Sequence, residues 1–205
     1  MWSSTPASRP TGRRPASDVT VPVEVVPAEF TLVFFDAAEI RSITEKLVAE
    51  IDFPTDTSVT IDVDETTQFG RASIASADPI VIRAESGALE DVKHPRQLSE
   101  AGTVDVIGKL LFMVRDRRDP DFGTAPDDDD LSLQQSAAWE AYCVGRLGRL
   151  GHRVQRQRRL YQFRNRHGFT DAADAAFERL WTGDGLTWAD IQTACEETAA
   201  TRSVA

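Results

Sequence analysis

Residues 133–169 hold eight arginines and a single acid, Glu140. Each guanidinium presents a planar fork of donors that matches a carboxylate or a phosphate. Read as one helix from Ser132 to about Arg166, the segment places Cys143, Leu147, Leu150 and Val154 within about 60° of one another at 100° per residue. Arg146, Arg149, Arg153 and Arg156 fall on an adjacent face. Further along, Arg158, Arg159, Arg164 and Arg166 interleave with Tyr161, Phe163 and Phe169, in the manner of stacking sites for single strands. An apolar seam flanked by guanidiniums is a docking surface. The residues expected to carry it are Arg146, Arg149, Arg153, Arg156 and Arg159, followed by Tyr161, Arg164, Arg166 and His167.

Three acceptors compete for these arginines. The chain's own acids, such as Asp127 to Asp130, would make the contacts structural. An acidic protein partner, or a second copy of the chain, would make them an interface. Nucleic acid is the third and less favoured, because the chain carries 33 acids against 23 bases, a formal charge of −10. The aromatics are expected to be core anchors of a helical tail.

Other chemistry is thinly represented. Asp62 and Asp64 lie on one face of a strand beside Glu65. Such carboxylates bind Mg²⁺ or work as an acid–base pair, but more simply form a solvated sheet face. With Asp116 they would have to assemble a site from distant segments. The three histidines, His94, His152 and His167, show no metal-ligand spacing. Cys143 and Cys195 form no CxxC pair, so a reducing cytoplasm is expected. Neither a P-loop, a GxGxxG fingerprint nor a GxSxG elbow occurs, and no cofactor is implied. Gly145-Arg146-Leu147-Gly148 is similar to the GxxG loop of KH domains, which clamps a nucleic-acid backbone. That module needs a strand before its first helix and another after its second, and neither is visible. Gly151 continues the spacing, so a hinge or a close helix–helix contact is the expected role.

The elements that must position these groups follow from periodicity. Phe30 to Phe35 is short, apolar and β-prone, and reads as a buried strand. Asp36 and Glu39 open a helix over 37–52, which Pro54 stops. Val59, Ile61 and Val63 alternate with polar residues, giving a half-buried strand. Two more strands are expected near 71–76 and 79–82. A helix starts near Ser99 or Thr103, and Ser132 with Gln135 forms a capping box for the long arginine-rich helix. Thr170 and Thr187 cap two final helices. The order implies an α+β fold: a small mixed sheet of three to four strands, covered by two helices and followed by an all-helical tail. The order helix, strands, helix resembles the core of small zinc peptidases, whose later helix bears the metal-binding histidines. Here that stretch, Thr103 to Gly108, holds no histidine, so a shared topology would not bring shared chemistry.

Composition frames the rest. A chain of 205 residues with 41% apolar positions supports one folding unit. No apolar run approaches the length of a membrane helix. The proline-rich first 24 residues read as a disordered arm, 25–126 as the α/β core and 127–205 as a helical region packed on it. Net charge is −13 over 25–132 and +7 over 133–169. Twenty arginines against three lysines point to a GC-rich bacterial genome. The expectation is a non-enzymatic adaptor or regulatory protein working through the arginine-flanked tail. The alternatives are a nucleic-acid-associated protein, and a carboxylate-dependent enzyme or degenerate hydrolase-like scaffold.

Overall fold

The computed structural model describes residues 21–202; side chains are described as far as residue 200. Residues 1–20 of the expected arm therefore lie outside the described residues. Val23 and Glu24, placed in that arm by sequence, instead open the first strand.

Strand β1 (Val23–Val26) leads through a long connection into helix α1 (Ala37–Ile51). Asp36 caps α1 by accepting from the Ala38 N–H at 2.8 Å, and Asp52 ends it in the left-handed conformation, two residues before Pro54. Strands β2 (Val59–Asp64), β3 (Ala72–Ala77) and β4 (Ile80–Glu85) follow, then a short turn of helix α2 (Ser86–Leu89) and the long helix α3 (Glu100–Arg118). The sheet order is β1-β2-β4-β3. β1, β2 and β4 run parallel, and β3 joins β4 as an antiparallel hairpin.

The strand pattern explains the layering. Val59, Ile61 and Val63 of β2 and Ile80, Ile82 and Ala84 of β4 point to one face and are buried. Ile40, Leu47, Val48 and Ile51 of α1 and Val104, Ile107, Leu111 and Val114 of α3 are buried in the same core cluster. Asp62 and Arg83 stand on the opposite face and pair there at 3.3 Å.

The segment Phe30 to Phe35 is not a strand. Its only ladder contact is a bridge between Phe34 and Gln97. The Glu65 carboxylate accepts from the Thr31 and Leu32 N–H groups at 2.8 and 2.6 Å, which pins the segment as a loop. Those bonds, led by that from Leu32, hold the Glu65 carboxyl below its ordinary value. Val33 and Phe35 still reach the core, whereas Phe34 is 77% exposed.

The expected long arginine-rich helix is two helices. α4 (Leu133–Arg149) starts at the Ser132–Gln135 capping box; α5 (Arg156–His167) begins after a turn. Gly151 takes a left-handed φ of 93° there. His152, 2.5 Å from Glu50, holds the turn against α1. A single apolar seam through Leu150 and Val154 therefore does not exist. Helices α6 (Asp171–Thr182) and α7 (Trp188–Arg202) complete the fold, capped by Thr170 and by the Thr187–Asp190 pair as their sequences imply. The fold is α+β, a four-stranded mixed sheet with a helical C-terminal region. One buried cluster runs from Val25 of β1 to Ala194 of α7.

Two contacts, one from a loop and one from the end of α3, reach the sheet's edge. β3 is an edge strand. Its Ile74 N–H donates to Asp128, and Arg118 donates to its Ala77 carbonyl. Asp128 belongs to a short 3-10 turn (Asp128–Asp130) and is held by Arg117 at 2.6 Å.

Gly145 shows how closely the helices approach. A Cβ at this position would collide with the backbone carbonyl of Trp181 on α6. At Gly108 it would meet only the side-chain ends of Leu147 and Leu47. Gly145→Ala should therefore cost about 1–3 kcal/mol by overpacking, and Gly108→Ala less. Urea unfolding of the two variants beside the parent measures this.

Candidate functional site

Most of the arginines singled out by sequence turn inward. Arg146 donates to both Asp116 oxygens, at 2.7 and 2.5 Å, with its guanidinium 4.0 Å from the Phe112 ring centroid and 4.1 Å from that of Tyr142. Trp139 Nε1 donates to the same carboxylate at 2.8 Å. Arg149 donates to the Trp181 and Gly183 carbonyls at 2.7 and 2.6 Å, closing the C-terminus of α6. Arg156 pairs with Glu178, and Arg164 is bidentate with Asp174 at 2.7 and 2.5 Å. His167 is fully buried and stacked on Phe163 at 3.9 Å. Its Nε2 donates to the Gln134 carbonyl at 3.0 Å, and its Nδ1 lies 2.8 Å from Thr198 Oγ1. The acids that neutralise these arginines are mostly not the Asp127–Asp130 run; of that run, Asp128 takes Arg117 instead.

The aromatics divide. Phe163 is core, as expected. Tyr161 and Phe169 are not: they are 60% and 63% exposed and meet edge to face at 5.9 Å. Arg166 is exposed as well.

Arg159 marks the best-formed site. Buried at the start of α5, it donates to Glu140 of α4 and, at 2.8 Å, to Asp105 of α3. Lys109, one helical turn after Asp105, donates to the other Glu140 oxygen at 2.7 Å. Two cations and two carboxylates thus meet where three helices converge. Burial pushes the Glu140 carboxyl up, but Lys109 and then Arg159 outweigh it, and the group lies below its ordinary value. This quartet lines a cavity of about 330 Å³. Arg153, Gln155, Arg158, Gln162, Glu90 and Val92 also line it. Arg153 and Arg158 are exposed and make no hydrogen bond or ion pair with the described residues. A second cavity, about 580 Å³, shares Gly70, Lys109 and Glu140 with the first.

No family model, curated protein or solved structure matches the chain.

The carboxylates considered for catalysis do not assemble. Asp62 and Asp64 line the second cavity, but Asp116 sits in the Arg146 pair between α3 and α4. Among the described residues no group of three or more His, Cys, Asp or Glu side chains is placed to hold a metal ion. Helix α3, the helix likened to the one that bears histidines in zinc peptidases, holds none, and its Asp105 and Lys109 are in ion pairs. Burial pushes the Cys143 thiol up to about 12 and the Cys195 thiol up to about 11, so both stay protonated at neutral pH. Among the described residues no helix is long and apolar enough to cross a membrane.

Sequence reasoning missed Asp105, Lys109 and Glu140. Two signals pointed to them. Asp105 and Lys109 are four apart on one helix face, and Glu140 is the lone acid in the arginine-rich segment.

Two outcomes follow. Asp116→Asn leaves Arg146 buried without its counter-charge and should cost about 3–5 kcal/mol in denaturant unfolding. An apolar double replacement, Asp116→Leu with Arg146→Met, should recover most of that loss. For Glu140, a lowered folded pKa means its contribution is present above the unfolded glutamate pKa, about 4.3, and is lost as pH falls through the folded value. Glu140→Gln should lower stability at neutral pH and flatten the acid limb of a stability–pH profile. An unchanged acid limb would show that the quartet does not couple to folding.

Proposed function

We propose that the chain is a non-catalytic adaptor or regulatory protein that docks an acidic protein partner on the rim formed by Arg153 and Arg158. One observation carries this. Arg146, Arg149, Arg156, Arg159 and Arg164 have acceptors within the chain, whereas Arg153 and Arg158 stand exposed at a cavity mouth with none among the described residues. Of the nine residues expected from sequence to carry the docking surface, this reading keeps Arg153 at its centre and adds Arg158, which was not among them. The surface centres on the turn before α5 and on that helix's first turn. The separation of Asp116 from Asp62 and Asp64 further supports a binding role over a carboxylate-dependent reaction.

The exposed Tyr161–Phe169 pair favours a second reading, in which single-stranded nucleic acid stacks beside Arg158 and Arg166. The chain's net charge of −10 weighs against it.

Affinity purification with the intact chain should recover an acidic protein that Arg153→Glu with Arg158→Glu loses. Retention of the same partner by the double variant would remove the adaptor reading. A salt-sensitive anisotropy change with a single-stranded oligonucleotide, abolished by Tyr161→Ala, would favour nucleic acid instead.

A further inference from the structure

The cavity at the start of α5 has a charge balance that can be followed side chain by side chain. Lys109 and Arg159 face Glu140 and Asp105, so four of the lining charges cancel in pairs. Glu90 is the one other acid in the lining; it lies 3.3 Å from the Ser86 hydroxyl, which donates to the Thr67 carbonyl at 2.8 Å. Arg153 and Arg158 make no ion pair with the described residues, and the lining as a whole holds four cations against three acids. Both arginines stand beside a concavity and not on a flat helix face, where water would screen them fully.

The local backbone adds to this field. α5 begins at Gln155 with no side-chain cap bond and no acid in its first turn. Arg156, Arg158 and Arg159 occupy that turn instead. Cations at the positive end of a helix dipole are unfavourable unless an anion offsets them. Arg156 and Arg159 have such anions in Glu178, Glu140 and Asp105. Arg158 does not.

The size and lining define the ligand. A cavity of about 330 Å³ exceeds the room a lone phosphate needs, and a second of about 580 Å³ shares Gly70, Lys109 and Glu140 with it. Gln155 and Gln162 supply amide donors and acceptors, and Val92, 89% exposed, supplies an apolar contact. Paired guanidiniums, amides and an apolar rim suit a peptide bearing carboxylates.

We infer that the cavity between α3 and the start of α5 receives the carboxylate side chains of an acidic peptide segment, gripped by Arg153 and Arg158 and oriented by Gln155 and Gln162. This rests on the docking reading above and gives it a location and a ligand chemistry.

The test uses the full chain and a fluorescein-labelled oligoglutamate peptide, followed by anisotropy at low salt. Saturable binding is expected. Arg153→Gln with Arg158→Gln should weaken it roughly tenfold or more. Both side chains are exposed, so the variant keeps its fold, which circular dichroism verifies. Side-chain amide resonances of Gln155 and Gln162 should shift on titration. An oligolysine peptide binding equally well, unchanged affinity in the double variant, or binding of inorganic phosphate alone would each overturn the inference. The two readings fail separately. If oligoglutamate depends on these arginines but the purified partner does not, the adaptor reading falls and the cavity assignment stands. If the partner depends on them and oligoglutamate does not, the reverse holds.

Discussion

The ion pair between Arg146 and Asp116 is the constraint around which the helical region is arranged. Two charges removed from water are costly unless each finds full compensation. Here the carboxylate takes both guanidinium arms and the Trp139 indole, while Phe112 and Tyr142 flank the cation with ring faces. The pair fixes α4 against α3 in one rotation about its axis. That rotation sends Gly145 toward α6 and Glu140 toward Lys109. It also brings Trp139 between Phe122 and Trp188, at 5.4 Å from each. The pair thereby helps to lock the helical layer against α3, beside the Lys109–Glu140 and His152–Glu50 contacts.

The positive charge of residues 133–169 then has an explanation. It is largely counter-charge for acids on α3, α4 and α6. Asp105, Asp116, Glu140, Asp174 and Glu178 all receive arginines from this segment. Segregation along the sequence becomes neutralisation in space, because antiparallel helices bring distant segments side by side. What remains uncompensated is small and local.

Sequence alone disclosed the layers and most of the helix boundaries. Period-two alternation at Val59, Ile61 and Val63 and the caps at Ser99, Ser132, Thr170 and Thr187 are local signals, and the structure keeps them. Two features needed tertiary information. Phe30 to Phe35 has strand composition, but Glu65, 34 residues from Thr31, captures its backbone donors. The break between α4 and α5, for which the glycine spacing allowed a hinge, is held in place by His152 reaching Glu50 of α1, 102 residues away. The arginine-rich segment was legible as important. Which arginines face outward was not, since each acceptor lies on another element. The Asp105–Lys109–Glu140–Arg159 quartet stayed hidden for the same reason: its members come from three helices.

The rim of the sheet carries a final implication. The outward-facing groups of β3 are met by Asp128 and Arg118, which follow the sheet in the chain. An unguarded rim is an invitation to lateral stacking between molecules. The polypeptide thus guards its first half with residues synthesised later, and a nascent chain holding only the strands would pass through an interval of vulnerability that ends when the acidic turn emerges and docks.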